Sequence, residues 1–310
     1  FNLSQNLRYS FFQRPHFIYE NATILKDQEE ISKIKELKIY ISLKNLFSLE
    51  GIKVNDSVLK NANFYLNNQT YDFFTKLLSQ DFRDKRQRTS ALIRWQDFAV
   101  GIDCGPDFRN QMLSAEQKKL DALLFTHEHA DHTAGLDDIR PYYFQKGCFP
   151  IYAASRVIDS LNERFAYILS DENKYPGAPS VQINELKGQQ FDLFGLKALP
   201  LDAPHGPIEV TGFRMGGLAY FTDVKSMPEQ HIKQLTGLDV LVLNALRHEP
   251  HHAHLSLSEA IELAQRIGAK QTFFTHISHH LGFHAEVQKT LPPGIFLAYD
   301  GLEVVAELPM

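Results

Sequence analysis

The stretch LLFTHEHADHTAGLDDIRP, residues 123–141, puts three histidines and two carboxylates into six consecutive positions, His127 to His132, directly behind an apolar run. Buried polar groups cost free energy unless each finds a partner, so such a cluster makes a poor core element. A solvated polar turn would carry it cheaply. That plain reading does not explain why other apolar runs downstream end on the same residue types. PLDAP runs into His205, AYFT into Asp223, TFFT into His276 and, upstream, AVGI into Asp103. Polar side chains at strand ends, on loops held by a rigid sheet, are where functional sites collect.

The spacing inside the cluster is informative. In an extended segment His127 and His129 point to the same side, because side chains alternate along a strand. Asp131 and His132 come at the turn into the next element and can face a second point. One short loop can therefore serve two cations a few Å apart, the spacing at which a metal pair clamps an attacking and a leaving oxygen. Mixed imidazole and carboxylate donors suit Zn²⁺, Mn²⁺ or Fe, and the lack of cysteine donors argues against a closed structural zinc site. The two cysteines, Cys104 and Cys148, form neither a CxxC pattern nor a disulfide framework.

The rest of the chain is organised around this half. At 310 residues, 44% hydrophobic and 22% charged, it has ample material for a substantial core. A net charge of −5 gives no electrostatic footprint for nucleic acid. No apolar run approaches the roughly 18 residues of a membrane span. The opening FNLSQNLRYSFFQRPHF lacks the apolar stretch of a secretory signal, which points to the cytoplasm. Residues 1–82, rich in Asn, Lys, Ile, Tyr and Phe, read as an atypical N-terminal segment of unassigned role, with a polar helix over Lys26–Lys38 and a short strand over Ile39–Leu43. Residues 83–310 read as the chemical domain.

In that domain, SALIRW-QD-FAVGIDCG is a hairpin turning at Gln96–Asp97. Further strands are expected at Ala122–Thr126, Phe149–Ala153, Phe191–Leu201, Leu218–Thr222, Leu238–Asn244, Gln271–Thr275 and Ile295–Tyr299. Helical periodicity runs over Val157–Leu169 and through SLSEAIELAQRIG, capped by Ser256 or Ser258 and ended by Gly268. Many short strands with interspersed helices predict a layered α/β domain.

THEHADHTAGLDD resembles the HxHxDH signature of the metallo-β-lactamase superfamily, and Asp103, His205–Gly206, Asp223 and His276 stand in that family's order. RDKRQRTSALI, IDCGPDFRNQML and GLDDIRP further resemble the branch of the phosphoribosyl cyclic phosphodiesterases, to which tRNA 3′-end endonucleases are related. The resemblance covers roughly Arg83 to the C-terminus. It implies an αββα sandwich holding two divalent cations, Zn or Mn, at one edge of the sheets. By correspondence His127, His129 and His205 would hold one cation, Asp131, His132 and His276 the other, and Asp223 would bridge them. Asp103 would orient a ligand from behind. The branch usually opens with a strand and a Gly/Thr/Ser-rich loop, often followed by clustered cysteines; neither precedes RDKRQRTS.

The expected activity is hydrolysis of a small phosphodiester by a hydroxide held between the metals. Asp131 is counted among the catalytic residues as well as the ligands. His254, in HAHLSLSEA just ahead of a helix, is expected to be the general acid. Ser256, Glu259 and Ala260 match the branch's spacing there. A thioester, lactone or β-lactam hydrolase on the same metal platform is the alternative, as is a tRNA 3′-processing nuclease, which normally carries a protruding basic arm not seen here. The expected partner is a small phosphodiester, with no nucleic acid and no membrane; a homodimer is left open. His248, His251 and His252 read as loop residues, with His251 a candidate for substrate contact. His279, His280 and His284 are expected to flank the site or face solvent. Arg140 and the GLDD carboxylates read equally as phosphate-positioning or as solvated.

Overall fold

A computed structural model describes residues 79–169 and 177–308 in full, together with the backbone of four earlier strands. The chain divides between Thr75 and Lys76 into two compact units.

The first unit contains a four-stranded antiparallel sheet in chain order, β1 (Leu7–Ser10), β2 (His16–Lys26), β3 (Glu29–Ile41) and β4 (Val54–Ala62). The helix expected over Lys26–Lys38 is therefore corrected to strand at Lys26 and from Glu29 onward, with residues 27–28 outside the described residues, and the strand expected to begin at Ile39 is the end of β3. Residues 42–43 lie outside the described residues. EEISKIKELKIYI carries Ile and Leu at both helical and alternating spacings. Pairing decides between them, since β3 bonds β2 on one side and β4 on the other.

In the second unit β5 (Ala91–Trp95) and β6 (Phe98–Ile102) form the expected hairpin. Parallel β7 (Ala122–Leu124), β8 (Phe149–Ala153) and β9 (Val181–Glu185) complete a five-stranded sheet. The other sheet has seven strands in chain order. Its antiparallel part is β10 (Phe191–Leu193), β11 (Leu196–His205), β12 (Ile208–Met215) and β13 (Leu218–Tyr220). Its parallel part is β14 (Val240–Asn244), β15 (Gln271–Thr275) and β16 (Ile295–Leu297). Among the described residues the α-helices are α1 (Phe108–Ser114), α2 (Ala130–Thr133), α3 (Arg140–Lys146), α4 (Ser155–Arg164), α5 (Ala166–Leu169), α6 (Glu229–Gln234), α7 (Leu257–Ile267) and α8 (His284–Val287).

Strand parity sorts the apolar side chains into three cores. Ala122 and Leu124 of β7 point into a core shared with Ala198, Phe213, Met215 and Tyr220 of the other sheet. Leu123, from the same strand, joins Phe108, Tyr142, Val157 and Leu161 of the helices outside. On the seven-stranded sheet Leu241 and Leu243 meet Ile232, Leu257, Leu263 and Ile267 of α6 and α7. Helices, sheet, sheet and helices thus stack as the expected αββα sandwich. Fully burying side chains such as Phe108, Leu123 and Phe213 contributes roughly 1.5–3 kcal/mol apiece.

Two elements expected as single pieces are broken. Phe191–Leu201 is a hairpin, because Phe194 and Gly195 take φ 54° and 85°, and the Asp192 Oδ1 accepts from the Gly195 N–H at 3.0 Å. Helical Val157–Leu169 is interrupted at Phe165, whose φ of −123° ends α4. Other expected strand ends shift by one or two residues, within the ordinary fraying of element boundaries.

Candidate metal centre

The site residues come from the ends of β6, β7, β11, β13 and β15, with α2 carrying Asp131 and His132 and the loop before α7 carrying His254. Three of them adopt left-handed backbone: Asp103 at φ 60°, Asp223 at 61° and His276 at 50°. That conformation costs an L-residue roughly 1–2 kcal/mol. It persists where the surroundings over-determine it, which is common at functional sites. Each of the three stands within a few residues of a strand's end, where one left-handed step turns the chain sharply off the sheet.

The first cluster is made of imidazoles. His127 Nε2 lies 3.0 Å from His129 Nδ1, and His205 Nε2 lies 3.4 Å from the same atom. Their outer nitrogens fix the tautomers. The single hydroxyl proton of Thr126 is donated to Asp103 Oδ2 at 2.8 Å, so Thr126 Oγ1 can only accept at its 3.0 Å contact with His127 Nδ1. The backbone carbonyl of Ala253 accepts from His205 Nδ1 at 2.8 Å. Both Nε2 atoms therefore present lone pairs toward His129, which has at most one proton to offer between them. Burial, first among the causes, pushes His127 down to about 2 and lowers His205 as well, so neither ring charges to relieve the conflict.

The second cluster is mixed. Asp223 is 2% exposed, with Oδ2 3.2 Å from His132 Nε2 and Oδ1 3.1 Å from His276 Nε2. Asp131 Oδ2 is 3.6 Å from His132 Nε2 and 3.7 Å from His276 Nε2. Behind it, Asp103 Oδ2 accepts from His132 Nδ1 at 2.8 Å, and Asp103 Oδ1 accepts from the Thr126 N–H at 2.8 Å. Burial opposes charge on His132, but Asp103 and Asp223 on either side raise it well above the ordinary range. Burial likewise opposes charge on Asp223, and His276 and His132 outweigh it, holding the carboxyl far below the usual value. Asp131 is lowered chiefly by His276.

These donors suit divalent cations. His127, His129 and His205 form one group with ligand atoms within 4.8 Å of one another; His127, His132 and Asp223 form a second, and Asp131, His132 and His276 a third. His132 Nε2 is buried with no hydrogen-bond partner of its own. Crowded lone pairs, a buried carboxylate between imidazoles and an orphaned ring nitrogen are what cation ligands present before the cation is counted. The structure thus brings all seven expected ligands together, with Asp103 behind them.

His254 stands at the same place. Its Nδ1 is 3.3 Å from Asp223 Oδ1, close but not aligned as a hydrogen bond, and its ring stacks on His276 with centroids 5.0 Å apart. Burial pushes it down to about 3 against the opposing pull of Asp223. It forms a further ligand-like group with His205 and Asp223. Ser256 caps α7 two residues later in a capping box with Glu259, fixing the loop that carries His254. His251 packs its ring 4.9 Å from that of His254. His248 bonds away from the cluster, at Leu281 O, and His284 faces Arg86. Arg140 pairs with Asp137 at 2.7 Å.

Sequence reasoning missed four contributors. Thr126 sets the His127 tautomer. Arg156 pairs with the Glu128 carboxylate, while Arg164 donates at 2.9 Å to both Glu128 O and Thr133 Oγ1, so α4 grips the ligand loop from outside. Arg88 places Nη1 3.8 Å from Asp131 Oδ2. Thr126 was discoverable from its place beside the motif; the arginines, distant in sequence, gave no such signal.

This arrangement defines a candidate metal centre at the edge of an αββα sandwich. A family model for the β-lactamase superfamily domain matches residues 99–277. The crystal structure of a diphosphatase from the PhnP family is 40% identical, with a TM-score of 0.70 over 75% of this chain and 90% of that one. Zn²⁺-bound PqqB from Methylobacterium extorquens shares the fold at 20% identity and a TM-score of 0.56, over 70% of this chain and 87% of that one. An octanoyltransferase of Porphyromonas gingivalis is 38% identical over 232 residues, 74% of this chain, which spans only 47% of that relative's length. The chain belongs to the metallo-β-lactamase superfamily. No described helix is long and apolar enough to cross a membrane.

Proposed function

We propose that the protein is a phosphodiesterase that works with two divalent cations, Zn²⁺ or Mn²⁺, on a small phosphodiester such as a cyclic ribose phosphate. The observation that carries the reading is Asp223, a buried carboxylate whose two oxygens face imidazoles of different origin, His132 at 3.2 Å and His276 at 3.1 Å, with His254 at 3.3 Å. His127, His129 and His205 would hold one cation, Asp131, His132 and His276 the other, and Asp223 both. Bound there, the pair supplies Lewis-acid charge against the negative charge that builds at phosphorus.

The chain's own groups do the rest. Asp103 and Thr126 hold the outer ring nitrogens, fixing how His132 and His127 turn toward the cations. His254, 13% exposed and next to Asp223, is the proton donor to the leaving oxygen. Burial keeps its free ring neutral near pH 7, and an entering phosphodiester anion is the partner that raises its affinity for a proton. Likeness to the PhnP-family diphosphatase supports phosphoryl chemistry.

Acyl transfer, as in the name of the octanoyltransferase relative, finds less support at this centre. Cys104 is the cysteine next to it, bonding His132 O through its backbone N–H at 2.8 Å, and burial pushes its thiol well up, away from the thiolate that acyl transfer needs. The test is metal analysis together with turnover of bis(p-nitrophenyl) phosphate, cyclic ribose phosphates, a tRNA precursor, thioesters and lactones. Two metals per chain and preferential cleavage of small phosphodiesters are expected. Preference for thioesters or lactones would replace the reading with the acyl-hydrolase one, and preference for precursor tRNA with the nuclease one.

A further inference from the structure

We infer that Arg88 is the substrate's anion-binding residue in this site, its guanidinium engaging a phosphoryl oxygen beside the second cluster; the assignment rests on the phosphodiesterase reading above. The backbone of Arg88 is held on both sides. Its N–H donates to Asp107 Oδ2 at 2.9 Å, and its carbonyl accepts from Gln111 Nε2 at 2.6 Å. Its Cβ lies against Gly105, whose lack of a side chain also lets Asp131 O come close. The root of the side chain is thus fixed next to the ligand loop.

The head group is free by contrast. Its nearest partner among the described residues is Asp131 Oδ2 at 3.8 Å, and the side chain is 61% exposed. An exposed pair at that distance contributes little to stability, so fold maintenance does not account for the placement. Asp131 Oδ2 is also the oxygen by which Asp131 faces the second cluster, 3.6 Å from His132 Nε2 and 3.7 Å from His276 Nε2. A cation engaging that oxygen would compete with Arg88 for it and leave the guanidinium facing the site.

Five other arginines are already committed. Arg83 is bound to Asp81, Arg86 to Ala298 O and His284, Arg140 to Asp137, Arg156 to Glu128, and Arg164 to Glu128 O and Thr133. A planar guanidinium with open donors matches phosphoryl oxygens, two at a time, better than a point charge does. Carboxylic esters, lactones and thioesters offer no such anion, so Arg88 favours phosphate-bearing substrates over them.

The test uses the metal-loaded full chain, with inorganic phosphate as the binding probe. Arg88→Ala should weaken phosphate binding and raise KM for bis(p-nitrophenyl) phosphate by about ten- to a hundredfold, the scale of a lost charge-assisted hydrogen bond, at unchanged metal content. Arg88→Lys should recover part of the loss, and added guanidinium should partly rescue Arg88→Ala. Unchanged phosphate affinity in Arg88→Ala would make Arg88 a solvated cation. Loss of metal in that variant would make it a support for Asp131. Either result overturns the assignment. Phosphodiesterase activity in the wild type with an indifferent Arg88→Ala would sink this inference alone. Phosphate binding through Arg88 without any phosphodiester turnover would instead sink the functional reading.

Discussion

Asp103 Oδ2 accepts from His132 Nδ1 at 2.8 Å, with neither side chain more than 1% exposed, and the same oxygen accepts from Thr126 Oγ1 at 2.8 Å. One carboxylate therefore fixes the ring of His132 directly and that of His127 through Thr126. Groups in this position typically change metal affinity by about 10–100-fold when removed. Asp103→Asn tolerates the left-handed backbone and keeps the shape, so it isolates the charge. It should weaken metal binding by about that factor, read by competition with a chromophoric chelator. Unaltered affinity would mean that the His132 ring is held by packing alone.

Asp223→Ala should be the most damaging ligand change, because one buried carboxylate faces imidazoles of the second cluster and His254 together. Metal analysis of the wild type should give two equivalents, and the variant should fall below one. A single equivalent in well-loaded wild-type protein would count against the dinuclear reading.

His254→Ala should keep both metals and slow turnover by roughly 10²–10⁴, the usual scale for a positioned acid. The loss should shrink for nitrophenyl esters, whose leaving group needs little protonation. Equal losses for good and poor leaving groups would remove the acid role. Loss of metal would make His254 a ligand, as its grouping with His205 and Asp223 permits.

Gly105→Ala should be destabilising and metal-poor together. A Cβ there would come 2.1 Å from Asp131 O, so the ligand loop must move. Overpacking of this kind costs about 1–3 kcal/mol. Thermal unfolding and metal content of the variant should both fall; a change in neither would show that the loop accommodates the methyl group.

Chelation should lower the unfolding temperature reversibly. Ligand present at a hundred times its dissociation constant stabilises by about 2.7 kcal/mol, and in a unit of this size each kcal/mol is worth roughly 2–4 °C. A drop of several degrees with chelator, restored by Zn²⁺ or Mn²⁺, is expected. No shift would argue that the clusters bind cations too weakly to matter.

We propose the division of the chain into an N-terminal segment and a catalytic domain as a functional one. A chain beginning at Lys76 should then fold and bind metal as the full chain does, since the second unit is compact by itself. Insoluble or metal-poor protein would mean that the first unit completes the catalytic fold.

Much of the site was legible because its first part is contiguous. His127, His129, Asp131 and His132 fall within six consecutive positions, so residue type and spacing reveal them without any knowledge of the fold. Strand parity was legible in the same local way, and it carries Leu123 and Leu124 to opposite faces of one sheet. Local pattern failed where two states fit one stretch of chain. Lys26–Lys38 satisfies helix and strand spacing alike, and Phe194, an unusual residue for left-handed backbone, hid the turn between β10 and β11.

Residue type and short-range period were enough for the donor chemistry and the layered α/β class. Which donors meet was left to the packed fold. Parallel pairing of β13 with β14 and of β14 with β15 aligns the ends that carry Asp223 and His276. Asp103 finds His132 across 29 residues because β6 and β7 lie side by side. Arg88 reaches Asp131 because Gly105 leaves room for both. Those meetings depend on long-range pairing and close packing, which no local pattern of residues encodes.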